Sequence, residues 1–223
     1  SDAVHAVVIR EFGAPAVLQP GTFPEPVERP GWVTVDIKAA ALNWHDVLVR
    51  QGRYNSPLPH VIGADGAGVR RDTGEAVVIV PSLHWGERDD APSPGWEILG
   101  DHIPGTYAEL VSVPAECLAP KPAGFNWVQA AALPLVGLTT YRALFARGRL
   151  RAGESMLVVG AGGGIATMAV QLASHAGAAI IVTSSTADKI AHAAAEGASD
   201  GVLHTDPDWP EQVAGVITHL IEQ

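Results

Sequence analysis

The chain has 223 residues, 47% of them apolar, and its 14 Lys and Arg against 24 Asp and Glu give a net charge of −10. That length can bury a substantial core and suits one large or two modest domains. The negative charge disfavours nucleic acid or an anionic membrane surface as partner, and no apolar run approaches the roughly 18 to 20 residues of a membrane span.

The opening segment, SDAVHAVVIREFG, carries acid in place of a basic start and lacks a cleavable apolar core, so nothing marks it for secretion and a cytoplasmic location is expected. From residue 1 to about residue 124, short apolar or alternating runs such as GWVTVDIKAAAL, EAVVIVPSL and GTYAELVSVP are cut by turn residues, which predicts a β-rich, barrel-like domain. Fourteen of the 17 prolines fall in this stretch, and the compositional shift at its end predicts domains of 1–124 and 125–223. The single Cys117 excludes an intramolecular disulfide and a Cys-rich structural zinc site, and it reads as a small buried core residue.

Past the shift, Asn126 is placed to cap a short helix, and a second helix starts near Pro134. The chain then alternates. Strand Ser155–Val159 precedes helix Gly163–Ala176, which ends at Gly177, and strand Ala179–Thr183 follows. Thr186 caps a helix through Glu196 with Gly197 after it, DGVLH makes a third strand, and GVITHLIE near the end fits a fourth. Strands alternating with helices of about ten or more residues predict an α/β fold with a parallel, doubly wound sheet.

In VVGAGGGIATMAV the glycines sit where a strand hands over to a helix. Glycine permits the tight turn and lets the backbone approach a pyrophosphate, whose charge then meets the free N–H groups and positive dipole end of the helix. Gly160, Ala161, Gly162, Gly163, Gly164 and Ile165 are therefore the candidate cofactor-binding loop. Ala166 stands where the pattern expects a third glycine and is still small enough for close helix-to-strand packing.

Several motifs in order, LNWHDVLVRQGRYN, LPHVIGADGAGV, AALPLVGLTTYRAL, VVGAGGGIATMAVQLA and IIVTSSTADKI, resemble the medium-chain dehydrogenase/reductase superfamily over nearly the whole chain. The resemblance implies a GroES-like substrate domain, a Rossmann domain, an active site in the cleft between them and a possible homodimer. It also implies that the Rossmann domain is incomplete at its C-terminal end, because similar proteins continue through further strands and return to the substrate domain. The zinc branch of that superfamily looks for Cys, His and Cys at the positions held here by Asn43, Ala64 and Leu135, and for four Cys in the lobe LHWGERDDAPSPGWEILGDHIPG, which has none. No bound metal is expected. His45, His60 and Asp65 lie near those positions and leave an unconventional metal site as the open alternative.

What remains resembles the quinone-oxidoreductase and enoyl-reductase branch, in which a hydride passes from a nicotinamide to a conjugated carbonyl of a small-molecule substrate. On that resemblance Asn43 donates an amide hydrogen bond to the substrate or nicotinamide, Tyr54 presents a phenol to the cleft, and Thr139 packs against the nicotinamide. Asn43 reads equally as a helix cap, and Asp46 and Arg50 read as a fold-stabilising pair at helical spacing. An acid near the end of the second Rossmann strand would accept from the ribose hydroxyls of NAD and repel the 2′-phosphate of NADP. That position holds Ser184, followed by Ser185, with Lys189 a helical turn on, so NADPH is the expected cofactor. A zinc-type alcohol dehydrogenase and a non-catalytic NADP-binding fragment remain as alternatives.

Overall fold

The computed structural model describes the backbone of residues 2–221 and side chains through residue 217. The chain divides into two compact units, with the division after Leu135. In the first unit the alternating runs become strands: β1 (Ala3–Val8), β2 (Gln19–Pro24), β3 (Trp32–Ala41), β4 (Asp65–Arg70), β5 (Ala76–Ile79), β6 (Ser82–Leu83), β7 (Glu97–Ile98), β8 (Leu110–Pro114) and β9 (Leu118–Pro120). Antiparallel pairing orders five of them as β8-β3-β4-β5-β9, while β1 pairs β2 and β6 pairs β7. Along β3, Val33 and Val35 point inward and alternate with half-exposed Thr34 and Asp36, the period of two expected of a half-buried strand.

One face of this sheet packs Val35, Ile79, Leu83, Leu99, Val113 and Cys117 into a core. Cys117 is buried, as expected, and desolvation pushes its thiol up to about 11, so it packs as an inert apolar group. Near its C-terminal end β3 shifts register against β4 between Ile37 and Ala39. Such a bulge bends a strand, and this one lies immediately ahead of helix α1 (Trp44–Arg50). Helix α2 (Trp127–Ala131) is capped by Asn126, whose side chain accepts from Gln129 N–H at 2.8 Å. Composition placed α2 with the second domain, but its Ala130 and Ala131 pack on Ala67 and Val78 of the first unit's sheet. Alanine's small side chain permits that close approach, and the prolines that marked the shift in composition say nothing about it.

Helix α3 (Pro134–Tyr141) runs on into a π-helical turn, Arg142–Arg147. In the second unit β10 (Ser155–Val158), β11 (Ala179–Ser184) and β12 (Asp200–Leu203) form a parallel sheet in the order β10-β11-β12. Helix α4 (Gly164–His175) connects the first pair and α5 (Ala187–Glu196) the second. Val170 and Ala173 of α4 pack with Ile180 and Val182 of β11 and Ala193 of α5. The expected fourth strand is absent: Gly215–Ile221 lies within helix α6 (Trp209–Ile221), and Glu222 lies outside the described residues. The β-branched Val216 and Ile217 suggested a strand, but Pro210 suits the first turn of a helix and buried Val213 recurs four residues after Trp209, at helical spacing. Among the described residues no helix is long and apolar enough to cross a membrane.

Candidate functional site

The first unit concentrates its buried polar groups around the start of α1. Asn43 caps that helix, and its backbone N–H donates to the Asp46 carboxylate at 2.9 Å. Asp46 also accepts from Ala64 N–H and from the Tyr107 hydroxyl, both at 3.1 Å. Three donors meet one carboxylate that is only 3% exposed, and burial still holds its pKa above the ordinary value. The expected pairing of Asp46 with Arg50 is not formed; the Arg50 guanidinium donates instead to the Gly13 carbonyl at 3.0 Å. The buried acceptor serves nearby N–H and O–H groups, while half-buried Arg50 turns to a backbone carbonyl.

Asp65, at the first position of β4, is 1% exposed. Its two oxygens accept from Asn43 Nδ2 at 3.0 Å and from Leu135 N–H at 2.9 Å, and its carbonyl accepts from the Thr106 hydroxyl at 2.7 Å. Burial pushes its carboxyl up to about 7, with Asp46 adding to the rise. Asn43, Ala64 and Leu135, scattered in sequence, therefore converge on two neighbouring carboxylates. Their side chains are an amide and two alkyl groups, none able to ligate zinc as thiolate or imidazole would. His45, His60 and Asp65 do not converge on one point either. His45 Nε2 stands 2.6 Å from Asp101 Oδ1, and His60 Nε2 stands 2.8 Å from the Gly100 carbonyl. Among the described residues no group of three or more His, Cys, Asp or Glu is placed to hold a metal.

Tyr54 packs its ring against His45 at a centroid distance of 4.6 Å, and its carbonyl lies 3.0 Å from His102 Nε2. Burial alone would lower the His45 pKa, but the hydrogen bond and charge of Asp101, with the charge of Asp46, hold it above the ordinary value. His60 goes the other way, because burial outweighs its carbonyl partner. Asn43 and Tyr54 are thus linked to one network through Asp65, Asp46 and His45. Sequence reasoning missed the roles of Asp65, Asp46, Asp101 and Tyr107. The available signal was an acid inside the otherwise apolar run VIGADGAGV, since a buried acid must be hydrogen-bonded.

In the second unit the glycine loop follows β10. Gly160 (φ +84°) and Gly162 (φ +103°) take left-handed conformations that L side chains rarely adopt. The loop is tied down by a residue not anticipated: buried Thr183 of β11 accepts from Ala161 N–H through its carbonyl at 2.8 Å and from Gly160 N–H through its hydroxyl at 3.2 Å. Those two N–H groups are therefore occupied. The N–H groups of Gly164, Ile165 and Ala166, at the start of α4, have no intrahelical partner. Gly162 through Ile165 are exposed.

At the end of β11, Ser184 is 1% exposed and its hydroxyl accepts from Thr186 N–H at 3.4 Å, whereas Ser185 is exposed. Thr186 caps α5 by accepting from Lys189 N–H. The Lys189 stem lies along Gly162: a Cβ on that glycine would stand 3.3 Å from Lys189 Cδ. The structure thus brings Lys189 to the glycine loop and leaves its ammonium without an ion-pair partner among the described residues. Thr139 is an exposed residue of α3.

Residues 29–123 match the alcohol dehydrogenase GroES-like domain. A solved structure described as an NAD-dependent alcohol dehydrogenase is 41% identical, with a TM-score of 0.91 over 96% of this chain and 67% of that one. The chain belongs to the medium-chain dehydrogenase/reductase superfamily. Within that superfamily it is 32% identical to the zinc-type alcohol dehydrogenase-like protein of Schizosaccharomyces pombe, over 93% of this chain and 64% of the relative. It is 29% identical to the quinone oxidoreductase of Mus musculus, over 94% of this chain and 61% of that protein. The chain therefore spans somewhat under two thirds of the length of these two relatives. The fold is the superfamily's mixed α/β arrangement, with a GroES-like first unit.

Proposed function

We propose that the protein is an oxidoreductase that uses NADPH to reduce a quinone, enone or enoyl-type acceptor without catalytic zinc. The observation that carries this reading is the end of β11: two serines stand where an NAD site holds an acid, and Lys189 lies against the glycine loop. A 2′-phosphate there meets a cation and no repelling carboxylate. The diphosphate would lie at the start of α4, whose first N–H groups have no intrahelical acceptor and whose Gly164 and Ile165 are exposed.

The absence of zinc is supported by the amide and alkyl side chains at Asn43, Ala64 and Leu135. When bound, the reduced nicotinamide supplies a hydride to the acceptor, and negative charge develops on the acceptor's carbonyl oxygen. One Asn43 amide hydrogen is held by Asp65, and the second is free to meet that oxygen, a donor placed before the charge appears. A proton from solvent completes the reduction. Tyr54, held on His45, forms a wall for the acceptor.

A zinc-dependent alcohol dehydrogenase is the rival favoured by the names of the relatives. NADPH oxidation by the purified chain against quinones, enones and aldehydes, with metal analysis of the same sample, separates the two. The proposal expects turnover with quinones or enones and less than stoichiometric zinc; stoichiometric zinc with turnover confined to aldehydes contradicts it.

A further inference from the structure

Asp65 is the most deeply buried carboxylate among the described residues, and no cation stands within ion-pair distance of it there. An acid buried without a counter-charge is costly, and packing alone would be served by an apolar residue. The informative feature is what the two oxygens hold. One takes the Leu135 N–H, a backbone group that cannot turn away; the other takes the side-chain amide of Asn43.

Above about pH 7, where Asp65 is ionised, its carboxylate only accepts, so it tolerates the nitrogen edge of an amide and repels the oxygen edge. Asp46 grips the same residue from the other side, through its backbone N–H at 2.9 Å. Asn43 is thereby fixed at both ends, and its amide has one permitted orientation of the two that rotation would otherwise allow.

We propose that Asp65 is the positioning residue for Asn43, fixing the amide so that its remaining N–H, and not its oxygen, is presented to the acceptor. This rests on the reductase reading above and adds a residue that never touches the acceptor. Loss of the carboxylate frees the amide to turn, and turned it offers an oxygen to a carbonyl on which negative charge is developing.

A polarity swap separates positioning from mere structural support. Asp65→Asn removes one acceptor, and Asn43→Asp sets two carboxylates against each other. In the double variant the asparagine at 65 accepts from Leu135 N–H and donates to the aspartate at 43, so the clasp is restored with its polarity reversed. The proposal expects a lower melting temperature in each single variant and recovery in the double. It expects kcat to fall about tenfold or more in all three, the scale of losing one placed donor, with NADPH affinity little changed.

Recovery of kcat along with melting temperature in the double variant, or full turnover in Asp65→Asn, overturns the proposal. Selective ¹⁵N-asparagine labelling gives a readout independent of turnover. The two Asn43 Nδ2 protons should exchange with solvent at distinct rates in the unmodified protein and at one averaged rate in Asp65→Asn. Equal rates in the unmodified protein overturn the tether itself, whereas a protected proton in a protein that reduces no acceptor faults the reductase reading and leaves the tether standing.

Discussion

The carboxylate centre of the first unit and the glycine loop of the second solve opposite problems. Around Asp46 and Asp65 the chain satisfies its own buried polar groups: three donors on one acid, two on the other, and little surface left. At the loop Thr183 ties down two N–H groups, while Gly162 through Ile165 are exposed and the first N–H groups of α4 have no intrahelical acceptor. The first region is held by two buried carboxylates that collect the chain's own N–H and O–H donors. The second presents backbone N–H groups at the start of a helix, the feature that the proposed cofactor reading uses. The first should fail by losing stability, and the second by losing affinity.

The largest effect is expected at Asp46. Asp46→Ala leaves the buried Ala64 N–H without its acceptor, at about 1 to 3 kcal/mol, and strips the half-buried Asn43 N–H and Tyr107 hydroxyl of theirs at a smaller cost each. Urea unfolding should therefore show a loss of about 2 kcal/mol or more, and a change below about 1 kcal/mol would mean that Asp46 does not hold this centre together. Asn43→Ala comes next. Steady-state turnover should fall by about ten- to a thousandfold with NADPH affinity nearly unchanged, and stability and activity falling in proportion would reduce Asn43 to a helix cap.

At the loop, Gly162→Ala forces a side chain into a left-handed conformation at about 1 to 2 kcal/mol and presses on the Lys189 stem. It should weaken NADPH binding by calorimetry while melting far less destructively than Asp46→Ala.

The pH dependence of stability belongs to the carboxylate centre. Asp65 is held near 7 in the folded chain and titrates in the ordinary carboxylate range when unfolded. Between about pH 4 and 7 the folded state keeps a proton that the unfolded state has lost, so this group's contribution to stability falls as pH rises, by at most about 1.4 kcal/mol per pH unit, and levels off above 7. His60, with a lowered pKa, acts in the opposite direction. Comparing Asp65→Asn with the unmodified protein at pH 5 and pH 8 isolates the Asp65 contribution. The variant should lose less stability on going to pH 8, and identical slopes would contradict the raised pKa.

The same contrast explains what was legible in the sequence. The loop announced itself because left-handed backbone needs glycine, and Gly160 and Gly162 are where the turn demands it. Helix caps at Asn126 and Thr186 were legible for a similar reason, since a side chain satisfies a backbone group two or three residues away. The carboxylate centre was not legible. Asn43, Asp65 and Leu135 belong to three separated segments, and only the register of β3 with β4 and the placement of α3 bring them together. The α6 segment was misread because β-branched residues favour strands locally while burial at Val213 decides in favour of a helix.

The smallest effect is at the surface. Lys189→Ala should weaken NADPH about fivefold or more and leave NADH nearly untouched, an effect that shrinks in high salt. Ser184→Asp should reverse the cofactor preference, although Ser184 is buried and the variant must also be checked for folding.

The cofactor preference of the unmodified chain tests the NADPH assignment most directly. Titrating NADPH and NADH separately into the protein at low salt, followed by nicotinamide fluorescence or calorimetry, measures it. The predicted result is clearly tighter binding of NADPH; equal affinities, or a preference for NADH, would contradict the assignment of Lys189 and the acid-free end of β11 to a 2′-phosphate.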